Sequence, residues 1–190
     1  MTSKRAPRTA VARARPSWSN KDVIRVHTFD SPVGPLTTAE RAGRVCLLHF
    51  GADDAGVDRM FDRWYPGEPR NREPLPAIGA ILDRYFAGDT TAIDTVPVEL
   101  NGTPFQKTVW TALRRIPCGT TISYGELAKR IGEPAAVRAV GTANGANPVA
   151  VIVPCHRVIG SNGSLTGYGG GLDRKQWLLT HEGVLARHLF

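Results

Sequence analysis

The sequence has few cysteines and no long apolar run. Its three cysteines, Cys46, Cys118 and Cys155, form no C-x-x-C pair, and its five histidines are widely scattered. This pattern argues against a disulfide framework or a zinc site and fits a reducing compartment. No apolar segment approaches the length of a transmembrane helix, and no hydrophobic region follows the basic N-terminus as a secretory signal would require. We therefore expect a metal-free cytoplasmic protein.

Acidic residues are missing from the first 17 positions, which carry five Lys and Arg. Residues 18–97 hold nine basic side chains against twelve acidic ones, whereas residues 98–190 hold ten against five. This uneven distribution of the net charge of +7 favours a polyanionic partner. Residues 1–20 are interpreted as a disordered basic arm, which either adds non-specific affinity for nucleic acid or has no role.

The remaining chain divides near residues 95–103, where turn-forming residues interrupt the pattern. Residues 21–97 alternate strand formers with turns at 31–34 and 41–44, and helical spacing follows in "VDRMFDRWY" and "LPAIGAILDRYFAG". Cys46 is expected to be a packed strand residue. We predict an α+β fold, with a small N-terminal domain of antiparallel sheet and helices over 21–97 and a mainly helical domain over 98–190.

The second domain carries clear helix boundaries. Thr103 and Pro104 fit the N-cap and first position of a helix, whose apolar face holds Phe105, Val109, Trp110, Leu113 and Ile116. The run from Ser123 to Glu126 fits a capping box, Gly132 ends that helix, and Pro134 is expected to start the next. Two short helices around a tight turn predict a winged-helix-like helix-turn-helix.

The second helix of this pair is nearly bare. Its side chains are small, and Arg138 is its only charge, in a run that includes Ala135, Ala136, Ala139, Gly141, Ala143, Gly145 and Ala146. Glycine costs about 1 kcal/mol in a helix relative to alanine, so its two glycines need a reason. From composition alone, close packing inside the protein and close approach to DNA explain them equally well.

The run "AVIVPCHRVIG" places Cys155, His156 and Arg157 in a row. Cationic and basic neighbours can lower the pKa of a thiol, and a base backed by an acid can take its proton. Adjacent strand residues face opposite ways, so the chain must turn here for Cys155 and His156 to cooperate. Glu182 is a candidate acid, and the loop Gly167–Gly171 can bring backbone amides against a flat ligand beside Tyr168.

The segments "GTPFQKTVW", "IPCGTTISYGELA", "AVRAVGTANGANPVAVIVPCHRVIG", "LTGYGGG" and "RKQWLLTHEG" follow one another over about half the chain. In order and spacing they resemble the O6-alkylguanine-DNA alkyltransferases, also called methylated-DNA–protein-cysteine methyltransferases. "SPVGPLTTAE" is similar to the first strands of that family's N-terminal domain. The resemblance implies a DNA-repair protein that acts once. It would flip O6-alkylguanine, and also O4-alkylthymine, out of duplex DNA and transfer the alkyl group irreversibly to Cys155.

The same resemblance implies roles for individual residues. His156 would be the base, acting through a water with Glu182 behind it, while Tyr124 would donate a proton to the leaving guanine and Lys175 would assist there. Arg138 would fill the place of the flipped nucleotide. DNA contacts are expected from Thr120, Thr121, Ser123, Ala135, Ala136, Ala139 and Gly141, and a guanine pocket from Asn147, Val158, Tyr168, Gly169 and Gly170. Asn147 would also tie the helix-turn-helix to the active-site strand.

The resemblance implies no cofactor and no metal. It implies double-stranded DNA containing O6-alkylguanine as the partner, no membrane, and a monomer, with cooperative binding to DNA left open. Three alternatives stay open: a non-catalytic sensor of alkylated DNA, a helix-turn-helix regulator, and a thiol hydrolase built on Cys155, His156 and Glu182. The cysteine argues against the sensor, and the shortage of base-reading side chains in "AAVRAVGTANGA" argues against the regulator.

Overall fold

The computed structural model describes residues 23–52 and 54–185, so the predicted basic arm falls outside the described residues. Four strands and two helices come first, and four further helices with two short strands follow. In chain order the elements are β1 (Ile24–Phe29), β2 (Leu36–Arg41), β3 (Arg44–Phe50), α1 (Asp54–Trp64), β4 (Arg70–Arg72), α2 (Pro76–Phe86), α3 (Pro104–Leu113), β5 (Ile122–Ser123), α4 (Tyr124–Arg130), α5 (Val137–Gly145), β6 (Val158–Ile159) and α6 (Leu172–His181).

The N-terminal sheet has the order β3-β2-β1-β4. Strands β1, β2 and β3 pair antiparallel through the two predicted turns. In the second turn Ala42 and Gly43 both have positive φ, the geometry of a tight two-residue hairpin. The three predicted strands are antiparallel as expected, and a fourth strand, β4, pairs parallel with β1, so the complete sheet is mixed. The sequence did not signal β4 because its residues, Arg-Asn-Arg, are polar and exposed.

The predicted α+β class is confirmed, and so are most helix boundaries. Thr103 caps α3 in a reciprocal capping box with Gln106. Ser123 caps α4 by accepting from the backbone N–H of Glu126, whose carboxylate turns instead to Arg130. Helix α5, however, begins at Val137 rather than Pro134, because Ala136 N–H closes a turn onto the Glu133 carbonyl.

Strand β3 also reaches the C-terminal half of the protein. The backbone N–H of Leu48 donates to the Pro148 carbonyl, and Ala150 N–H donates back to the Leu48 carbonyl, each over 2.9 Å. Strand β5 pairs in parallel with β6, which follows Cys155. The segment around Cys155 is therefore held from both sides, and one continuous hydrophobic core runs through both halves.

None of the helices in the described part of the chain combines the length and apolar character needed to cross a membrane. Cys46 is fully buried on β3, as predicted, and burial raises the pKa of its thiol to about 12.

Candidate active site and nucleic-acid interface

The backbone that leads to Cys155 is a series of turns. Ile152 N–H donates to the Ala150 carbonyl and Cys155 N–H to the Val153 carbonyl, each over 2.8 Å, which closes two successive three-residue turns. A short 3-10 turn, Cys155–Arg157, follows. The expected active-site strand is therefore absent, because Pro154 adopts φ −81° and ψ 65°, the geometry of an inverse γ-turn. The chain turns where cooperation between Cys155 and His156 requires it.

Cys155 is 6% exposed, and two asparagines donate hydrogen bonds to it. Asn147 Nδ2 donates to Sγ over 3.1 Å and to the Val153 carbonyl over 2.7 Å, while Asn144 Nδ2 donates to the Cys155 carbonyl over 3.4 Å. Burial raises the pKa of the thiol, and the hydrogen bond from Asn147 and the charge of Lys175 offset only part of that effect. Cys155 is consequently a protonated thiol at neutral pH and needs a base to become a nucleophile.

The cationic neighbour of Cys155 in sequence does not bond to its sulfur. Arg157 is buried and grips Glu182, with Nε to Oε2 and a terminal nitrogen to Oε1, both over 2.8 Å. Its other terminal nitrogen donates to the Ile116 carbonyl over 2.6 Å. The cation that lowers the pKa of Cys155 is Lys175. Arg157 is therefore a partner of Glu182 rather than of the thiol.

His156 is fully buried and joins the same carboxylate. Its Nε2 lies 3.0 Å from Glu182 Oε1, so this nitrogen carries the proton and donates to the ionised acid. Nδ1 is then the acceptor nitrogen, and it has no hydrogen-bond partner among the described residues. Burial lowers the pKa of His156 despite the opposing effect of Glu182, so the imidazole is neutral at pH 7 and able to accept a proton.

The carboxylate of Glu182 is the centre of this network. Burial raises its pKa, but hydrogen bonds from His156 and Arg157 outweigh burial and hold that pKa well below its usual range. Oε1 accepts a further hydrogen bond over 2.9 Å from the hydroxyl of Tyr85, on α2. The predicted grouping of Cys155, His156 and Glu182 in one region is what the structure contains, with Arg157 and Tyr85 added.

Tyr124, the predicted proton donor, and Lys175, predicted to assist it, lie on the glycine-rich loop side of the site. Lys175 Nζ is buried and donates to the carbonyls of Val158 (2.6 Å) and Thr166 (2.8 Å), and burial lowers its pKa to about 8. The Tyr124 hydroxyl donates to the Thr166 and Gly167 carbonyls over 3.3 and 3.2 Å. Both side chains thus hold the start of the loop.

The glycine-rich loop is fastened to the N-terminal half. A Cβ on Gly170 would fall 2.6 Å from the ring of Phe50, so only glycine fits there. Arg174 donates to the carbonyls of Gly170 and Val33, 2.8 and 2.7 Å away. The ring of Tyr168 packs edge-on against Phe50, with centroids 5.9 Å apart. The loop is a fixed wall of the site rather than a free surface segment.

A cavity of about 110 Å³ opens beside Cys155 between the two halves of the chain. Four predicted pocket residues line it: Asn147, Tyr168, Gly169 and Gly170. Val158 is not among the lining residues; its side chain is fully buried, and its carbonyl serves Lys175. Sequence patterns gave no indication of the opposite wall, which consists of Leu48, His49, Phe50, Met60, Arg63 and Trp64.

Helix α5 presents a bare outer face. Val140, Ala143 and Asn144 are buried on its inner face, and the indole N–H of Trp110 holds the Ala143 carbonyl at 2.8 Å. A Cβ on Gly145 would meet nothing within 4 Å, and one on Gly141 would only touch the Tyr124 ring at 3.9 Å. Internal packing therefore does not require either glycine, and the alternative of close approach by a partner is favoured.

Arg138, Ala135 and Ala139 are exposed on or just before α5, and Ala136 is its half-exposed N-cap residue. Thr120 is exposed, Thr121 and Ser123 are half-buried, and all three lie just before α4. The hydroxyl of Thr120 donates to the Pro117 carbonyl, whereas that of Ser123 is used as the α4 cap. The predicted DNA-contacting residues thus lie along the helix-turn-helix, next to the Cys155 cavity.

Comparison with known proteins shows the family. Residues 24–100 match the ribonuclease-like domain of 6-O-methylguanine DNA methyltransferases, and residues 104–184 match the DNA-binding domain of the same proteins. This chain is 45% identical to a methylated-DNA–protein-cysteine methyltransferase of Shigella flexneri over 159 residues, which cover 82% of this chain and 93% of that protein. It is 49% identical to one of Mycobacterium tuberculosis over 164 residues, covering 84% and 93%.

Solved structures agree with the sequence comparison. A crystal structure of Mycobacterium tuberculosis OGT in complex with DNA aligns with a TM-score of 0.69 and 44% identity, covering 84% of this chain and 91% of that one. The fold and the thiol site define a protein with a helix-turn-helix and a buried cysteine beside a cavity. The chain belongs to the 6-O-methylguanine DNA methyltransferase family.

Within the described residues, no group of three or more His, Cys, Asp or Glu side chains is arranged to hold a metal ion. Reasoning from sequence missed three contributors to the site: Arg157 as the partner of Glu182, Asn144 on the Cys155 carbonyl, and Tyr85 on Glu182. Arg157 could have been suspected, since a buried carboxylate needs a cation. Nothing local in the sequence points to Tyr85.

Proposed function

We propose that this protein repairs alkylated DNA by transferring the alkyl group from O6 of guanine, and from O4 of thymine, to Sγ of Cys155. It acts once and works inside the cell, in the cytoplasm. The observation that carries the proposal is the buried thiol of Cys155 at a cavity beside a bare helix-turn-helix face, in a chain of this family. The damaged base leaves the duplex before it reacts, since a protein cannot attack its substituent within the stack.

The proposed transfer begins with loss of the thiol proton. Cys155 gives its proton through a water to His156, which is oriented by Glu182. The thiolate attacks the alkyl carbon, the bond from that carbon to O6 breaks, and the electron pair stays on the guanine. Tyr124 supplies a proton to the leaving base, with Lys175 beside it. The product is a thioether, which thiol exchange does not reverse, so each molecule reacts once.

Binding to the duplex is assigned to the helix-turn-helix. Because its side chains are small, α5 can enter the minor groove of the duplex. Arg138 then fills the space left by the flipped nucleotide. The DNA backbone lies against seven residues of the helix-turn-helix, namely Thr120, Thr121, Ser123, Ala135, Ala136, Ala139 and Gly141. Asn147, Tyr168, Gly169 and Gly170 hold the base, and Val158 contributes its backbone. Affinity rests mainly on phosphate contacts and therefore falls as salt increases.

The test is mass spectrometry after mixing the protein with excess duplex carrying one O6-methylguanine. The peptide containing Cys155 gains one methyl group, stoichiometrically and once, while Cys155→Ser stays unmodified and Cys118→Ser reacts normally. A wild-type protein that binds the damaged duplex but remains unmodified would be a sensor instead. Repeated turnover of a small thioester or ester without DNA would indicate a hydrolase.

A further inference from the structure

Tyr85 is the contact between the N-terminal half and the network around His156. It lies in the last turn of α2 and is fully buried, and its hydroxyl donates to Glu182 Oε1 over 2.9 Å. The two residues are 97 positions apart. A tyrosine from one half of the chain therefore touches the carboxylate that faces the histidine of the other half.

The ring of Tyr85 cannot easily swing away from this carboxylate. The backbone carbonyl of Tyr85 accepts a hydrogen bond over 2.7 Å from Nε2 of His181, the residue that precedes Glu182 in the chain. The rings of Phe86 and His181 pack edge-on against it, each with centroids 5.1 Å away. The hydroxyl and the carbonyl of one residue thus hold the end of α6 at two adjacent points.

Glu182 shares its hydrogen bonds unequally between its two oxygens. Among the described residues, Oε2 accepts a hydrogen bond from Arg157 only, whereas Oε1 accepts from His156, Arg157 and Tyr85. Arg157 balances the charge, so Tyr85 is not needed for neutrality. Its effect falls on the oxygen that faces His156, where it fixes the position of that oxygen and draws negative charge away from the imidazole. Burial raises the pKa of Tyr85, so its hydroxyl remains a donor at working pH.

We propose that Tyr85 is a positioning residue for the alkyl transfer, holding Glu182 Oε1 so that His156 presents its acceptor nitrogen to the proton of Cys155. This inference rests on the proposed function. It also gives the N-terminal half a chemical part in a reaction whose other groups all come from the C-terminal half.

The test compares Tyr85→Phe with Tyr65→Phe in single-turnover reactions with duplex carrying O6-methylguanine. Tyr65 is the matched control: it is also buried in the N-terminal half, and its hydroxyl donates to the Cys46 carbonyl over 3.3 Å, away from the site. Tyr85→Phe is expected to lower the maximal rate at saturating DNA roughly tenfold. The DNA concentration at half-maximal rate stays unchanged, because Tyr85 makes no contact with α4 or α5 among the hydrogen bonds and ring contacts of the described residues.

The pH profile separates positioning from a general loss of structure. Without the hydroxyl, Oε1 attracts the His156 proton more strongly, so the acidic limb of the rate profile moves to higher pH. The other titratable groups facing this pair stay in place in the variant, namely Arg157, Lys175, Cys118, Tyr168 and His181. Tyr65→Phe changes neither the rate nor the profile.

Two results would count against the proposal in different ways. If Tyr85→Phe and Tyr65→Phe both react at the wild-type rate with the wild-type pH profile, Tyr85 is only a packing residue and the inference is wrong. If the wild-type protein itself leaves Cys155 unmodified, the proposed function fails, and this inference fails with it.

Discussion

The side-chain amide of Asn147 donates to the sulfur of Cys155 across 3.1 Å, and its oxygen accepts from Val149 N–H across 3.0 Å. Asn147, which follows the C-cap residue of α5, thus fixes the loop and supplies the one side-chain hydrogen bond to the thiol among the described residues. A donor at this place stabilises the thiolate more than the thiol.

Asn147→Ala should therefore raise the pKa of Cys155 further and slow its reaction with iodoacetamide at neutral pH roughly tenfold. Asn144→Ala is the control, since it removes a hydrogen bond to the Cys155 carbonyl but leaves the sulfur untouched. Peptide mass spectrometry follows the alkylation of Cys155. Equal rates for the two variants would show that Asn147 acts on the loop alone.

Gly145 tests the role of the bare face of α5. Gly145→Ala should raise the free energy of unfolding by up to about 1 kcal/mol, because alanine favours the helix and its Cβ meets open space. Gly145→Leu should fold equally well yet bind damaged duplex roughly tenfold more weakly, since Gly145 also lines the cavity beside Cys155 and a long side chain there obstructs both the groove and the cavity. Urea unfolding and fluorescence anisotropy in a Cys155→Ser background measure the two effects. If Gly145→Leu binds damaged duplex as tightly as the wild type, the glycines of α5 are not explained by close approach to the groove.

Arg138 is exposed on α5, and in the proposed function its side chain fills the place of the flipped nucleotide. Arg138→Ala should reduce affinity for damaged duplex and slow alkyl transfer, because nothing then fills the vacated stack. Arg84→Ala provides the comparison, as Arg84 is an exposed arginine of α2 paired with Asp89. A fluorescent base analogue beside the lesion reports flipping. If Arg138→Ala and Arg84→Ala change affinity and base flipping equally, Arg138 is only a general phosphate contact.

Glu182 makes stability depend on acid pH. Its folded-state pKa lies below the 4.5 of an ordinary glutamate, so the unfolded chain takes up the proton first as pH falls. The free energy of unfolding therefore decreases as pH falls from about 5 toward the depressed pKa. This contribution is fully present at neutral pH.

Glu182→Gln should be less stable at pH 7 by roughly 3–5 kcal/mol, since Arg157 is left buried without its counter-charge. Its stability should also fall less steeply between about pH 5 and pH 3. Urea unfolding at several pH values measures both effects, with Glu126→Gln as the control for a surface ion pair with Arg130. A variant with the wild-type slope would place the acid sensitivity elsewhere.

Local sequence patterns predicted much of this fold. The turns at 31–34 and 41–44 and the caps at Thr103 and Ser123 depend on neighbouring residues, and the structure contains them. The short polar β4 and the late start of α5 depend on pairing and turn closure that no periodicity reports. At the site, the "PCHR" motif and its resemblance to the alkyltransferase family identified Cys155 and its neighbours in the sequence.

The groups that reach the site from far along the chain were beyond that kind of reasoning. Tyr85 occupies an ordinary apolar position of an amphipathic helix, and only the packing of α2 against the end of α6 brings its hydroxyl to Glu182. Phe50 and Trp64 likewise could not be assigned to the site from the sequence, because each is a buried core residue that also lines the cavity.

The pairing of Leu48 with the segment beside Val149 has a kinetic meaning. Contacts between residues so distant in sequence carry a large loop-closure cost and form late in folding, after local helices and hairpins. The reactive segment takes its shape from a strand completed about a hundred residues earlier. We therefore expect a newly made chain to transfer an alkyl group from DNA only after both halves have docked, because the segment before Cys155 is completed by its pairing with β3.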